Sequence, residues 1–296
     1  MNTNANQNTA QKATSLRLVL KTEEYLLSAI TEVGFESRNI NRWNEEGNLL
    51  KPPKANTWAK FTFLDYVWIK VLLFMSDLGV AKKSISKRAA TQKDNVDKII
   101  ECLAKAPIDM NQEPMDEFGD IKKQVAYQAL LAIVVDSFTI RSQYQLRIVK
   151  EGICQLWRDG EVIASSEMAE LVDSDSFVQI AFSDIFVDFV ASQILSGKHL
   201  IWRRLLNKPE ATLVEHLKPV PDASTPNGVQ AMNAVVVQLT IEDEDGQSES
   251  LPITQGVTKE TARQLANYIV LGGYKKMTYI IDGTTSTFSN SDDAPD

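Results

Sequence analysis

Residues 34–50 read GFESRNINRWNEEGNLL, and this stretch decides the fold of the N-terminal part of the chain. Ser37 favours a helix start, because its hydroxyl can accept a hydrogen bond from a free backbone N–H of the first turn. Gly47 favours the helix end, because glycine readily takes the left-handed conformation found there. Ile40 and Trp43 stand three residues apart and are expected to share a buried face. The stretch therefore predicts a short helix over residues 38–46.

The opposite face of this helix is polar. It would present Arg38, Asn39, Asn41 and Arg42 to solvent. Arginine and asparagine have side chains that can bind guanine and adenine edges through two hydrogen bonds in the DNA major groove. The four residues are therefore candidate base-reading residues, and an ordinary solvated helix face is the alternative.

The flanking segments extend the pattern. Residues 22–34 run from a capping threonine to a glycine and predict a preceding helix, and two short helices so closely spaced are typical of a helix-turn-helix. Residues 48–63 read NLLKPPKANTWAKFTF, which predicts a short β-wing. Its lysines, Lys51, Lys54 and Lys60, are candidate phosphate contacts, which position a protein on DNA without reading sequence.

Apolar residues around the wing are expected in a core, and they are Trp43, Trp58, Phe61 and Phe63. A further helix follows from Asp65 and ends at Leu78-Gly79. This order of helix, turn, helix, Gly-Asn-Leu-Leu, wing, helix and Leu-Gly across residues 22–88 resembles the MerR superfamily of winged helix-turn-helix proteins. Ala59 stands where that family carries a wing arginine. The resemblance implies binding of double-stranded DNA as a symmetric dimer.

Charge is distributed unevenly along the 296 residues, whose 44% hydrophobic and 24% charged content excludes a mainly disordered or fibrous protein. Residues 1–105 hold 16 Lys/Arg and 11 Asp/Glu, which gives +5, and residues 106–296 hold 15 and 28, which gives −13; together they make the net −8. A basic first third favours a polyanionic partner. A solvated basic surface is the alternative.

The fold class predicted is α+β, with a mostly helical winged helix-turn-helix followed by a larger α+β domain that contains a small antiparallel sheet. We place a mobile tail at residues 1–14, a DNA-binding domain at 15–105, a proline-containing linker at 106–117, a dimerisation or effector domain at 118–282, and an acidic mobile tail at 283–296.

Local patterns predict the elements of the second domain. Residues 120–138 predict a helix that is apolar on nearly all sides and so buried in a core or between subunits. Asp159-Gly160 predicts a tight hairpin turn. The remaining predictions are a helix at 94–104, strands at 145–149 and 153–157, helices at 177–195 and 258–270, and strands at 234–241 and 277–281.

Residues with catalytic or metal-binding chemistry are sparse. His199 and His216 are 17 positions apart, and Cys102 and Cys154 are 52 apart, so neither pair has a metal-ligand spacing. We expect the cysteines to be small core residues, although thiolates shared between two chains are the alternative. The acidic run at 242–246 predicts a turn rather than a calcium loop. We predict no cofactor, no metal and no catalysis.

The function predicted from these features is a sequence-specific transcriptional regulator that acts as a homodimer on double-stranded DNA. Its C-terminal domain leaves open a small-molecule or protein effector. The polar N-terminus and the lack of a long apolar run predict a cytoplasmic location without a membrane span. The alternative is a non-catalytic accessory protein, of a protein-interaction or excisionase- or partition-like kind, whose winged helix is a docking surface.

Overall fold

The computed structural model describes residues 12–14, 16–17, 20, 25–26, 36–51, 60–77, 85–107, 120–149, 153–167, 177–196, 206, 208–217, 236–251, 253, 257–281 and 283–289. The chain divides into two compact units, which we call the N-terminal unit (residues 9–185) and the C-terminal unit (residues 186–296 with 1–8). Both combine helices with a small antiparallel sheet, so the protein is α+β. This division lies after Ile185, whereas the prolines and the charge reversal at 106–117 predict a boundary there.

The N-terminal unit contains two sheets and four complete helices among its described residues. In chain order they are β1 (Tyr25–Leu26), α1 (Ser37–Glu45), β2 (Lys60–Phe61), α2 (Phe63–Asp77), α3 (Ile85–Ala104), α4 (Ile121–Thr139), β3 (Tyr144–Val149), β4 (Cys154–Arg158), β5 (Glu161–Ser165) and β6 (Phe177–Ala181). The small sheet is β1 with β2, and the larger one has the order β5-β4-β3-β6.

The helix predicted over residues 22–34 is wrong at Tyr25 and Leu26, the part of it that the structure describes. These two residues form β1, antiparallel to Lys60 and Phe61. Pairing with a strand distant in sequence outweighs a weak local helical pattern, because local propensity amounts to well under 1 kcal/mol per residue. The predicted mobile tail also requires correction at residues 12–14, which are helical.

Helix α3 joins the predicted DNA-binding part to the rest of the N-terminal unit. It begins at Ile85, nine residues before the predicted start at 94, and packs against α4 and β4. The Cys102 thiol donates to the carbonyl of Ala164, and the Lys105 ammonium donates to that of Ser166 at 2.6 Å. Elements on both sides of the predicted linker therefore share one core.

Helix α4 confirms the prediction of a helix buried on nearly every side. It begins after Asp120, whose carboxylate accepts the N–H of Lys122. Twelve of its residues are buried, and they include Tyr127, Leu130 and Ile133. Because nearly every side of α4 is buried, the helix lies in the core of its unit.

The β4–β5 hairpin has the predicted Asp-Gly turn, with φ of 50° at Asp159 and 89° at Gly160. The helix predicted at 177–195 is wrong in its first five residues. They form β6, in which Phe177 pairs with Val149 and Gln179 with Arg147. Helix α5 (Phe182–Ser196) follows directly and spans the division between the two units.

The C-terminal unit contains α6 (Lys208–His216), β7 (Val236–Glu242), β8 (Ser248–Leu251), α7 (Lys259–Leu271), β9 (Lys276–Ile281) and β10 (Thr284–Ser289). Its sheet has the order β10-β9-β7-β8. Helix α7 is capped by Thr258, whose hydroxyl accepts the N–H of Thr261. The predicted tail at 283–296 is wrong at Thr284–Ser289, because these residues pair along the whole of β9.

Glu242 of the acidic run ends β7, and residues 243–246 form the predicted turn between β7 and β8. In this turn Asp243 accepts the N–H of Gln247. Within the described parts of the chain, no helix has both the length and the apolar character that a bilayer crossing requires.

Candidate nucleic-acid interface

Helix α1 forms at the predicted place with one difference at its start. Glu36 is the N-cap, in an extended conformation and without a side-chain cap, and Ser37 is already helical. The predicted capping role of Ser37 is therefore wrong. The end is as predicted, because Glu46 closes the helix and Gly47 follows with a φ of +70°.

The two faces of α1 differ as the sequence predicts. Ile40 is 2% exposed and Trp43 is fully buried, so the apolar face anchors the helix in the unit. Arg38, Asn41 and Arg42 are exposed, and Asn39 is half-buried. The helix thus brings all four candidate base-reading residues onto one short element.

Arg42 is restrained by weak contacts. Its guanidinium lies 3.8 Å from the Glu46 carboxylate and 5.9 Å from the centre of the Trp43 ring. The side chain is 47% exposed, and an exposed pair of this i, i+4 type contributes only about 0.3–0.5 kcal/mol. Arg42 can therefore leave Glu46 for a stronger hydrogen-bond partner at little cost.

The turn after α1, residues 46–51, is held by groups from two other helices. The Asn48 N–H donates to the Trp43 carbonyl at 2.8 Å, and the Asn48 carbonyl accepts the indole N–H of Trp68 in α2 at 2.8 Å. Lys123 of α4 donates to the carbonyls of Gly47 and Leu49. These bonds fix the orientation of α1 relative to α2 and α4.

No local sequence pattern assigns Trp68, Lys123 or the buried Asn48 to the candidate interface. Trp68 lies in an apolar helix, where a core position is the ordinary expectation. Lys123 was one cation in the first turn of a buried helix. Only the contact between distant parts of the chain assigns it to the turn, and no local spacing predicts that contact.

The predicted wing is described only in part. Lys51 is half-buried and ends the turn after α1, and Lys60 belongs to β2. Lys54 and Trp58 lie outside the described residues. Phe61 and Phe63 are buried, as the sequence predicts for core aromatics.

Residues 36–51 have no net charge. Three cations, Arg38, Arg42 and Lys51, are matched by Glu36, Glu45 and Glu46. An electrically neutral element gains little from general attraction to a polyanion. What α1 offers a nucleic acid is therefore a set of directed hydrogen-bonding groups.

The two cysteines have the character of core residues. Cys102 and Cys154 are both free and buried. The pKa of the Cys154 thiol lies above its ordinary value. The main cause is a hydrogen bond with the Cys102 thiol, and the second is burial. A thiol with a raised pKa stays protonated and is a poor metal ligand or nucleophile. No group of three potential metal-binding side chains occurs among the residues that the structure describes.

Of the two histidines, one lies among the described residues. His216 ends α6 with its Nδ1 2.7 Å from the Thr212 carbonyl, and His199 lies outside the described residues.

Comparison of the chain with protein-family models, with curated proteins and with solved structures finds no match.

Proposed function

We propose that the protein is a sequence-specific DNA-binding regulator that inserts the polar face of α1 into a major groove. The observation that carries this proposal is the separation of faces on one nine-residue helix, with Ile40 and Trp43 buried and the two arginines exposed. A helix of this size fits the major groove, and arginine and asparagine are the side chains suited to base edges there.

The anchored turn supports the proposal because base reading needs a fixed helix. Hydrogen bonds from Trp68 and Lys123 tie the turn to α2 and α4, so α1 would meet DNA with a set direction. Rigid presentation reduces the entropy lost on binding. The resemblance to the winged helix-turn-helix class adds a wing and a two-fold dimer to this proposal.

Neutral charge on residues 36–51 makes specificity, rather than general affinity, the property to measure. Substituting one arginine that binds a guanine costs roughly 1–3 kcal/mol at that base position. A homodimer would read two half-sites about one helical turn apart.

The test is selection of a duplex site from a random DNA pool by the full-length protein, followed by fluorescence anisotropy. Arg38→Ala and Arg42→Ala should each weaken binding to the selected site and relax selection at one base pair per half-site. Arg263→Ala removes a comparably exposed guanidinium from the C-terminal unit and should bind like the unaltered protein.

Three outcomes would contradict the proposal. The first is that the protein selects no site from the pool. The second is that both arginine variants bind the selected site as tightly as the unaltered protein does. The third is that both variants lose the same amount of affinity for every DNA sequence. The first would favour a protein-docking role for this element, the second would place the DNA contact elsewhere, and the third would show that the arginines contact phosphate rather than bases.

A further inference from the structure

The larger sheet of the N-terminal unit has a face that combines aromatic rings with an arginine. Arg147 on β3 lies between Trp157 of β4 and Phe177 of β6, with its guanidinium carbon 3.8 Å and 4.8 Å from the two ring centres. Phe177 is 46% exposed, and the Arg147 and Trp157 side chains are half-buried. We call this cluster the Arg147 platform.

The positive charge of the platform is held among neutral groups. No carboxylate of a described residue lies within salt-bridge distance of Arg147. Its Nε donates to the Gln179 carboxamide oxygen at 3.2 Å, and its Nη2 lies 3.4 Å from that of Gln145. The guanidinium is thus positioned by carboxamides, which do not cancel its charge.

Neighbouring carboxamides have their acceptor atoms already engaged. The oxygens of Gln145 and Gln179 face Arg147, and the oxygen of Gln155 accepts the indole N–H of Trp157 at 3.2 Å. The NH₂ groups of the half-buried Gln145 and the exposed Gln179, which are pure donors, are therefore directed away from the guanidinium, whereas Gln155 is buried. The strand positions that share this face include no Asp or Glu among the described residues.

A ligand that complements this face must be planar, rich in acceptor atoms and negatively charged. Bases can stack against an aromatic ring, and their carbonyl oxygens and the phosphate oxygens can accept hydrogen bonds from the amide groups. The negative charge of a phosphate can neutralise Arg147. A stable protein partner would bury about 800 Å² on each side, whereas the Arg147 platform offers one exposed ring beside a guanidinium and the carboxamides of Gln145 and Gln179. The chemistry favours nucleic acid over protein.

We propose that the Arg147 platform binds single-stranded nucleic acid. A base stacks on the exposed part of the Phe177 ring, which the guanidinium does not cover, and the backbone phosphates lie near the guanidinium. This surface uses none of the residues of α1, so it does not depend on the proposed reading of duplex DNA.

The experiment measures binding of the full-length protein to a fluorescein-labelled oligothymidylate of about 15 nucleotides, which spans one stacking surface and does not form a duplex. Phe177→Ala should weaken binding about 5- to 150-fold, the loss expected for one stacked base. Arg147→Gln should weaken binding at least as much, and Arg147→Lys should restore it only in part, because an ammonium does not stack as a guanidinium does.

Two control variants separate the platform from α1 and from a general loss of exposed apolar surface. Ile140→Ala removes a comparably exposed apolar side chain and should leave binding unchanged. Arg42→Ala should weaken duplex binding while oligothymidylate binding persists, and Phe177→Ala should do the reverse. The two proposals can therefore fail independently.

The proposal is overturned if the unaltered protein does not bind the oligonucleotide, or if Phe177→Ala and Arg147→Gln bind it normally. If thymidine monophosphate displaces the labelled oligonucleotide at the same concentration as unlabelled oligothymidylate does, the face is a small-molecule site instead. A change in oligomeric state on Phe177→Ala, seen by light scattering without loss of oligonucleotide binding, would assign the face to a protein contact.

Discussion

The indole N–H of Trp68 donates to the backbone carbonyl of Asn48 at 2.8 Å, deep in the N-terminal unit. This bond joins the middle of α2 to the turn that follows α1. A buried carbonyl needs a partner, because leaving it unsatisfied costs about 1–3 kcal/mol. The position of α1 therefore depends on a tryptophan twenty-five residues beyond Trp43, the buried anchor of the helix itself.

Trp68→Phe should destabilise the protein by about 1–3 kcal/mol, because the Asn48 carbonyl loses its donor while most of the apolar contact remains. Chemical denaturation followed by circular dichroism measures the change. The variant should also bind the selected duplex more weakly, since α1 would no longer be held in one direction. A stable variant with unchanged duplex affinity would show that this bond does not position the helix.

Lys123 offers a second test of the anchored turn, with a matched control beside it. Lys123 donates to the Gly47 and Leu49 carbonyls, whereas the exposed Lys122 makes neither bond. We expect Lys123→Met to lower the free energy of unfolding by about 1–2 kcal/mol, in the range of a charged hydrogen bond lost from a partly buried site. Lys122→Met should change it by less than about 0.5 kcal/mol.

Both variants remove one positive charge, so general electrostatics cannot account for a difference between them. If they reduce stability and duplex affinity equally, Lys123 acts through its charge rather than through the turn. Hydrogen exchange at the amides of residues 46–51 gives a local reading of the same effect.

Local sequence predicted the elements whose causes are local. Ile40 and Trp43 set the buried face of α1, and Asp159-Gly160 set the hairpin turn, because these effects act within four residues. The strands at 25–26 and 177–181 were missed since each forms by pairing with a strand distant in sequence. The strand at 284–289 pairs with the neighbouring β9 across a short turn, and it was missed because residues 283–296 lack apolar periodicity. Of the candidate site, the exposed residues of α1 were predicted, whereas the bonds from Trp68 and Lys123 required the tertiary structure.

Gly160 provides a test of the β4–β5 turn. Its φ is +89°, and an added Cβ would meet nothing within 4 Å, so any penalty comes from backbone conformation alone. Gly160→Ala should destabilise the protein by roughly 1–2 kcal/mol, the cost of placing an L-residue in the left-handed region. Scanning calorimetry measures the fall in melting temperature.

Gly273→Ala is the matched control, because its surroundings are equally open and its φ is not positive. It should be neutral or slightly stabilising, since alanine restricts the unfolded chain more than glycine does. An equal effect at both positions would mean that the hairpin tolerates an ordinary residue and that the predicted turn chemistry is not required.

Tyr144 makes the protein less stable as the pH becomes alkaline. Its hydroxyl donates to Asp136 at 2.8 Å, and burial, followed by this hydrogen bond, raises its pKa well above the ordinary value of 10.0. The folded state therefore keeps the phenol proton at a pH where the unfolded chain has released it. Stability from this group is fully present below about pH 10 and is lost as pH rises further.

Tyr144→Phe removes that titration along with the hydrogen bond. We expect the variant to be less stable than the unaltered protein at pH 8 and to lose less stability between about pH 9.5 and pH 11. Tyr268→Phe is the comparison, since the hydroxyl of Tyr268 donates to Glu249 in a solvent-exposed hydrogen bond, where water screens the effect of the carboxylate. Urea denaturation across this range gives the slopes, and parallel slopes for Tyr144→Phe and the unaltered protein would show that Tyr144 titrates alike in the folded and unfolded states.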